Sequence, residues 1–244
     1  MHLMLKAVLA LAACAVLAGT AGAQAPAPPP PPDGPRYVVA YLEVKPTAAA
    51  DALKLVRQFS RATRKEAGNL RAEALQRIGQ SNHFVLLETW KDQAAADAHA
   101  RLAATARFND RIAAIRNAPI DRRVHFPLSV GPPPEKAISL KVLGVIPRGR
   151  VAVVTHVDVI PPQRENGTAF TRQLAEDSRK EAGNLRFEAV TQVNRQNHFT
   201  VIEVWRDRVT AHRHSMAAHT RAFRDKLAPA SGALYDERFY WFVN

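Results

Sequence analysis

The sequence predicts an α+β fold in which two tandem βαββαβ units pair into one barrel. Three observations predict it. The stretch "KEAGNLR" occurs twice, beginning at Lys65 and at Lys180. Each copy leads to "NHF" (Asn82 to Phe84; Asn197 to Phe199) and then to Glu-x-Trp (Glu88 and Trp90; Glu203 and Trp205). The copies align without a gap, residues 37–126 on 152–241, and their hydrophobic periods run in the same order.

Each unit opens with an alternating β-rich run (37–44; 151–160) that stops at Pro46 or Pro161. A helix follows (48–66; about 164–181), with Leu53, Val56 and Phe59 at helical spacing in the first copy. Ala-Gly-Asn ends it, with Gly68 and Gly183 where a left-handed C-terminal cap belongs. Two strands flank a polar turn (70–78 and 83–90; 185–193 and 198–205). A second helical region runs to about Ile115 or Leu227, and a last strand closes the unit (120–126; 235–242). This is the ferredoxin-like order. A sheet with helices on one face needs a partner for the other, so the duplication supplies both halves of an intramolecular, pseudo-dimeric α/β barrel. Alternation places Phe84, Leu86, Glu88 and Trp90 on one side of their strand, matched by Phe199, Val201, Glu203 and Trp205. With Arg71 and Glu73, Arg186 and Glu188, and Tyr41 and His156, these residues are expected to line a partly polar barrel interior. Val38, Leu42 and Val44, with Val153, Val157 and Val159, face the helices. A salt bridge to Arg71 or Arg186 is the plain expectation for Glu88 and Glu203.

Residues 1–23 have a short basic start, an apolar small-residue run and an Ala-x-Ala end at Ala23, the pattern of a secretory signal peptide. The protein is therefore expected to be exported, periplasmic or extracellular, with no stable membrane span. Leu-Ala-Ala-Cys ending at Cys14 offers lipoprotein anchoring as the minority alternative. Cys14 is the only cysteine, so the fold is held without disulfides, and thiolate or cysteine–metal chemistry is excluded. Residues 24–36 form a proline-rich spacer. The two repeats occupy 37–127 and 151–244, and 128–150 link them with room for one extra strand. The formal charge is +12, but Lys and Arg are interspersed with Asp and Glu, which speaks for a solvated basic surface and against nucleic acid.

At the Glu-x-Trp, "FVLLETWKDQAAADAH" and "FTVIEVWRDRVTAHRH" resemble the signature of the antibiotic biosynthesis monooxygenase family. There an early E-x-x-G, here Glu66-Ala67-Gly68 and Glu181-Ala182-Gly183 with a one-residue shift, precedes an E-x-W and a downstream His, here His99 and His214. Copy two adds His219 ahead of Phe223; copy one has Ala104 there. The resemblance implies dimeric α/β barrels, some of which oxidise quinols or polyphenols with O₂ and neither metal nor flavin. It implies a small aromatic or quinol-type ligand and O₂ as partners, no cofactor, and compatibility with a homo-oligomer. In copy two Trp205 would be a substrate wall, His219 or His214 the base, and Arg186 the anion partner. Glu203, His156, Trp90 and His99 complete the expected binding set. Leu86 and Val201 stand where some of these oxygenases carry a polar amide. The haem-degrading relatives have an iron-ligating His where this chain has Asn109 and Arg224, which argues against haem. No metal site is expected, because the clustered His212, His214 and His219 lack a carboxylate at a familiar spacing. The alternative function is a non-catalytic ligand-binding or structural barrel of the cell envelope.

Overall fold

The computed structural model describes residues 34–131 and 149–243. In repeat 1, strand β1 (Arg36–Glu43) leads through a 3-10 turn to helix α1 (Ala49–Thr63). β2 (Asn69–Arg77) and β3 (His83–Trp90) follow, then α2 (Gln93–Ala100), α3 (Ala103–Ile115) and β4 (Asp121–Val130). Repeat 2 repeats the order with β5 (Val151–Asp158), α4 (Arg164–Ser178), β6 (Asn184–Gln192), β7 (Arg195–Trp205), α5 (Arg208–Ser215), α6 (Ala218–Leu227) and β8 (Asp236–Phe242). The second helical region of each unit is thus two helices. β7 starts earlier than expected because Gln192 pairs with Arg195, so Val193 and Asn194 alone make the turn. The expected leader lies outside the described residues, as does the spacer up to residue 33. Arg36, at the spacer's end, opens β1. The linker 128–150 is described only at its two ends, and β4 runs to Val130.

The eight strands of the described residues close one antiparallel barrel in the order β1-β3-β2-β8-β5-β7-β6-β4. Two seams join the repeats. β2 meets β8 at Leu75–Phe242 to Arg77–Tyr240, and β4 meets β6 from His125–Gln192 to Val130–Glu188. Among the described residues no strand of this barrel has an open edge to pair with other chains.

Each repeat lays its helices on the outside of its half of the barrel. In repeat 1, Ala52, Leu55, Val56 and Phe59 of α1 and Phe108 and Ile112 of α3 pack on Ala40, Leu42, Phe84 and Leu86. In repeat 2, Leu174, Phe223 and Leu227 pack on Val153, Val157, Phe199 and Val201. The interior is a separate core of Tyr37, Val39, Leu75, Val85 and Leu87 with Ala152, Val154, Val190, Ile202 and Tyr240.

This arrangement corrects one expectation. Val38 pairs with Glu88 and Arg36 with Trp90, so Glu88 and Trp90 share the outer, helix-facing side with Val38. The same holds for Glu203 and Trp205 through Val153 and Val151. The interior receives Val85, Leu87 and Thr89, and Thr200, Ile202 and Val204, instead. Arg71 and Arg186 do face inward, each just after a bulge in its strand. Among the described residues the interior holds an apolar core with ion pairs. No helix among the described residues is long and apolar enough to cross a membrane.

Candidate functional site

The helix stop positions the first functional side chain. Gly68 (φ 79°) and Gly183 (φ 93°) turn the chain after α1 and α4 in the left-handed region. Each turn sets Glu66 or Glu181 against the helix that follows the Glu-x-Trp strand. That helix is started by an aspartate: Asp92 accepts from the Ala95 amide (2.7 Å) and Asp207 from the Thr210 amide (2.7 Å). A histidine in its last turn then meets the glutamate. His99 Nδ1 lies 2.7 Å from Glu66 Oε2, and His214 Nδ1 lies 2.5 Å from Glu181 Oε1. Sequence reasoning placed Glu66 and Glu181 in the helix stop and in the family's early motif but did not pair them with the histidines. The signal was present: both pairs are separated by 33 residues.

The Glu-x-Trp strand supplies the rest. Trp90 and Trp205 are fully buried. Trp90 Nε1 donates to Glu88 (3.0 Å) and Trp205 Nε1 to Glu203 (2.7 Å). The imidazole rings of His99 and His214 lie over Trp90 and Trp205, with centroids 4.7 Å apart in each repeat. Their Nε2 atoms stand 3.7 Å from Glu88 and Glu203. Each repeat therefore carries a line of Glu–His–Glu–Trp under its helices.

The two lines differ electrostatically. In repeat 1, Arg122 of β4 donates to Glu88 at 3.3 Å. The aligned residue of β8 is Glu237, and the arginine comes instead from α6, where Arg224 pairs with Glu237 at 3.3 Å. Glu203 is left in a buried site beside a second carboxylate. Burial, with help from Glu237 and Glu181, pushes its carboxyl up to about 8 against the Trp205 hydrogen bond. Burial also lowers His214, against the pull of Glu181.

A cavity of about 440 Å³ opens between sheet and helices in repeat 1. Ala40, Leu42, Phe59, Leu86, Phe108 and Ile120 give it apolar walls, and Thr105, Asn109 and Arg122 give it polar ones. Phe59 and Phe108 stack at 4.0 Å. The Thr105 hydroxyl is buried without a hydrogen-bond partner. Leu86, where an amide was missing from the family pattern, is on the wall, but Asn109 brings an amide from α3. In repeat 2 the aligned residues of Ala40, Asn109 and Ile120 are the larger Thr155, Arg224 and Tyr235, and Arg224 stacks over Tyr235 at 5.3 Å. Repeat 2 has instead a groove of about 340 Å³ between α4 and α6, lined by Phe170, Leu174, Asp177, His219, Phe223 and Lys226.

The structure therefore brings together His214, His219, Glu203 and Trp205, with His99 and Trp90 as the counterparts in repeat 1. It does not bring Arg186 or His156 to them, since both point into the barrel. Arg186 makes a two-pronged pair with Glu73 (3.1 and 2.7 Å), and Arg71 makes the matching pair with Glu188 (3.0 and 2.7 Å). Burial alone would raise the Glu73 carboxyl, but Arg186 and Arg71 hold it down to about 2. The expected partners Glu88 and Glu203 are on the other face of the sheet. His156 lies between Arg123 (3.0 Å) and Thr200 (3.3 Å), and burial and Arg123 lower it to about 4.

Fold and site define an α/β-barrel protein with a small-molecule cavity under the helices. The antibiotic biosynthesis monooxygenase family model matches residues 35–111 and 150–226, more than half the chain. The chain belongs to the antibiotic biosynthesis monooxygenase family, with the family's domain present twice. YcnE of Bacillus subtilis (strain 168), itself provisionally described as a monooxygenase, is 33% identical over 82 residues, which are 34% of this chain and 86% of YcnE. Two crystal structures of proteins provisionally described as monooxygenases share the fold. One is from Lactobacillus acidophilus NCFM (TM-score 0.68, 13% identity, 86% of this chain and 95% of that one). The other is from Fusobacterium nucleatum subsp. nucleatum ATCC 25586 (TM-score 0.72, 16% identity, 86% and 93%). An anthrone oxidase-like protein superposes with a TM-score of 0.65 at 10% identity, over 87% of this chain and 92% of its own.

Proposed function

We propose that the protein is an exported, cofactor-independent monooxygenase that holds a small phenolic or quinol-type molecule in the repeat-1 cavity. The observation that carries this reading is the cavity's composition. Its volume suits one or two fused rings. Phe59 and Phe108 offer aromatic contact, while Asn109 and the unpartnered Thr105 hydroxyl offer hydrogen bonds. Arg122 is the cation for a phenolate, and Glu88 behind it has an oxygen, Oε1, with no hydrogen-bond partner. A phenolate is electron-rich enough to reduce O₂ itself, so the protein's task is to bind the ring, accept its proton and stabilise the anion.

Oxygen uptake by the purified protein with a panel of quinols and hydroxyaromatics tests this. Arg122→Ala is expected to lower the rate at least tenfold, about 1.4 kcal/mol of barrier. A tenfold fall in His219→Ala instead would move the chemistry to the repeat-2 groove. No uptake above buffer with any substrate would leave the second reading, a ligand-binding barrel without turnover. One observation favours that reading: the barrel's interior charges are paired with one another. Export is tested separately by the mature N-terminus, expected at Gln24; a lipidated Cys14 would replace cleavage with anchoring.

A further inference from the structure

We propose that Glu181, His214 and His219 form a binding site for one borderline divalent transition-metal ion of the zinc class. One ligand atom from each of the three lies within 4.8 Å of the others. Their separation in sequence hid this, because the carboxylate comes from the helix stop before β6 and not from beside the histidines. Two imidazoles and one carboxylate are the donor set that borderline ions take, and three protein ligands leave an open position for water.

The geometry is close to what an ion needs. His214 Nδ1 and His219 Nε2 both point at Glu181 Oε1, from 2.5 and 2.9 Å. Donor atoms around a tetrahedral ion with bonds of about 2.0–2.1 Å sit roughly 3.3 Å apart. Opening each histidine–glutamate contact by less than about an ångström, and drawing together the two histidine nitrogens that lie within 4.8 Å of each other, would exchange two N–H···O bonds for three metal bonds. The buried side of the site holds a further carboxyl group near the histidine. His214 turns its other nitrogen, Nε2, toward Glu203 (3.7 Å), and Glu203 is gripped by Trp205. A carboxyl group behind a ligating histidine is where metal sites place the partner that orients the ring, and closing the 3.7 Å gap would let Glu203 take that role. Arg224, which faces His214, is engaged by Glu237 and by the Ser215 carbonyl. The other side is accessible, since His219 lines the α4–α6 groove together with Asp177.

Repeat 1 is an internal control. It has the same glutamate–histidine pair and the same Glu–Trp brace, but Ala104 stands where His219 does. The third ligand is what repeat 2 adds. The inference does not depend on the repeat-1 cavity or on turnover.

Calorimetric titration with Zn²⁺ near neutral pH, with Co²⁺ absorption as a second readout, tests it on the purified protein. One ion per chain at micromolar metal is expected. His219→Ala should weaken it at least about tenfold, the least that loss of a direct ligand should cost when outer-shell partners already cost 10–100-fold. Ala104→His should add a second ion in repeat 1, a gain that does not depend on the stability of His219→Ala. No uptake at micromolar metal, or binding that His219→Ala leaves unchanged, would overturn the proposal.

Discussion

At the scale of single residues, Glu203 and its twin Glu88 share their Trp and His neighbours but differ in the charge beside them. Glu88 has Arg122 within reach; Glu203 has Trp205, His214 and a neighbouring glutamate. Its carboxyl, near 4.5 in the unfolded chain and about 8 in the folded one, holds a proton at neutral pH. Between those values the folded state binds more protons than the unfolded state. Its contribution to stability therefore falls as pH rises across that window. Glu203→Gln should flatten this limb, and urea unfolding of both proteins from mildly acidic to mildly alkaline pH measures it. Histidines in the barrel act in the opposite sense. Burial lowers His125 to about 3 and His156 to about 4, below the ordinary 6.5. Stability from these two is present above about 6.5 and is lost as pH falls toward their folded values. The same titration should show an acid limb that begins near the ordinary histidine value.

At the scale of elements, the helix stop does two jobs, and glycine permits both. Gly183 has a left-handed backbone, and a Cβ there would sit 2.6 Å from the Thr210 side chain. Gly79 is equally left-handed (φ 84°) but a Cβ there would meet nothing within 4 Å. Gly79→Ala thus measures backbone strain alone, on the order of 1–2 kcal/mol. Gly183→Ala is expected to cost more, because it also pushes α5 and its His214 away from Glu181. Chemical denaturation of the two variants reads the difference. Element order and type were legible from periodicity, proline stops and the repeat. The inward face of β3 and β7 was not. Seven of the eight residues of β3 are buried, because helices cover one side and the barrel core the other. A strand buried on both faces loses the polar–apolar alternation that tells inside from outside. In such a strand Glu88 looks like an inward charge, although its partners Trp90, His99 and Arg122 are all in the outer layer. Of the candidate site, the local trio around Trp205 was legible through the motif. Glu181 was only hinted at, by the 33-residue spacing it shares with Glu66, and Arg122 was not legible, since composition does not say which strand end meets the Glu-x-Trp.

In the whole molecule, the two repeats hold each other through charge as well as through strands. Arg186 of repeat 2 grips Glu73 of repeat 1, and Arg71 of repeat 1 grips Glu188 of repeat 2. Arg186→Met would leave Glu73 buried beside an incomplete partner and should cost about 3–5 kcal/mol. The double variant Arg186→Met with Glu73→Met should recover much of that loss, and a double-mutant cycle in urea measures the coupling. A double variant no better than the single one would show that the pair does not link the repeats energetically. Because both halves belong to one chain, their seams form at a fixed effective concentration, and neither seam need copy the other. In a symmetric homodimer every substitution is made in both subunits at once, so a change that opens one pocket opens its mate. Here each half can be edited alone. Ala104 against His219, and Arg122 against Glu237, are such one-sided edits, and they allow one barrel to keep a ring-sized cavity under one set of helices and a three-ligand cluster under the other.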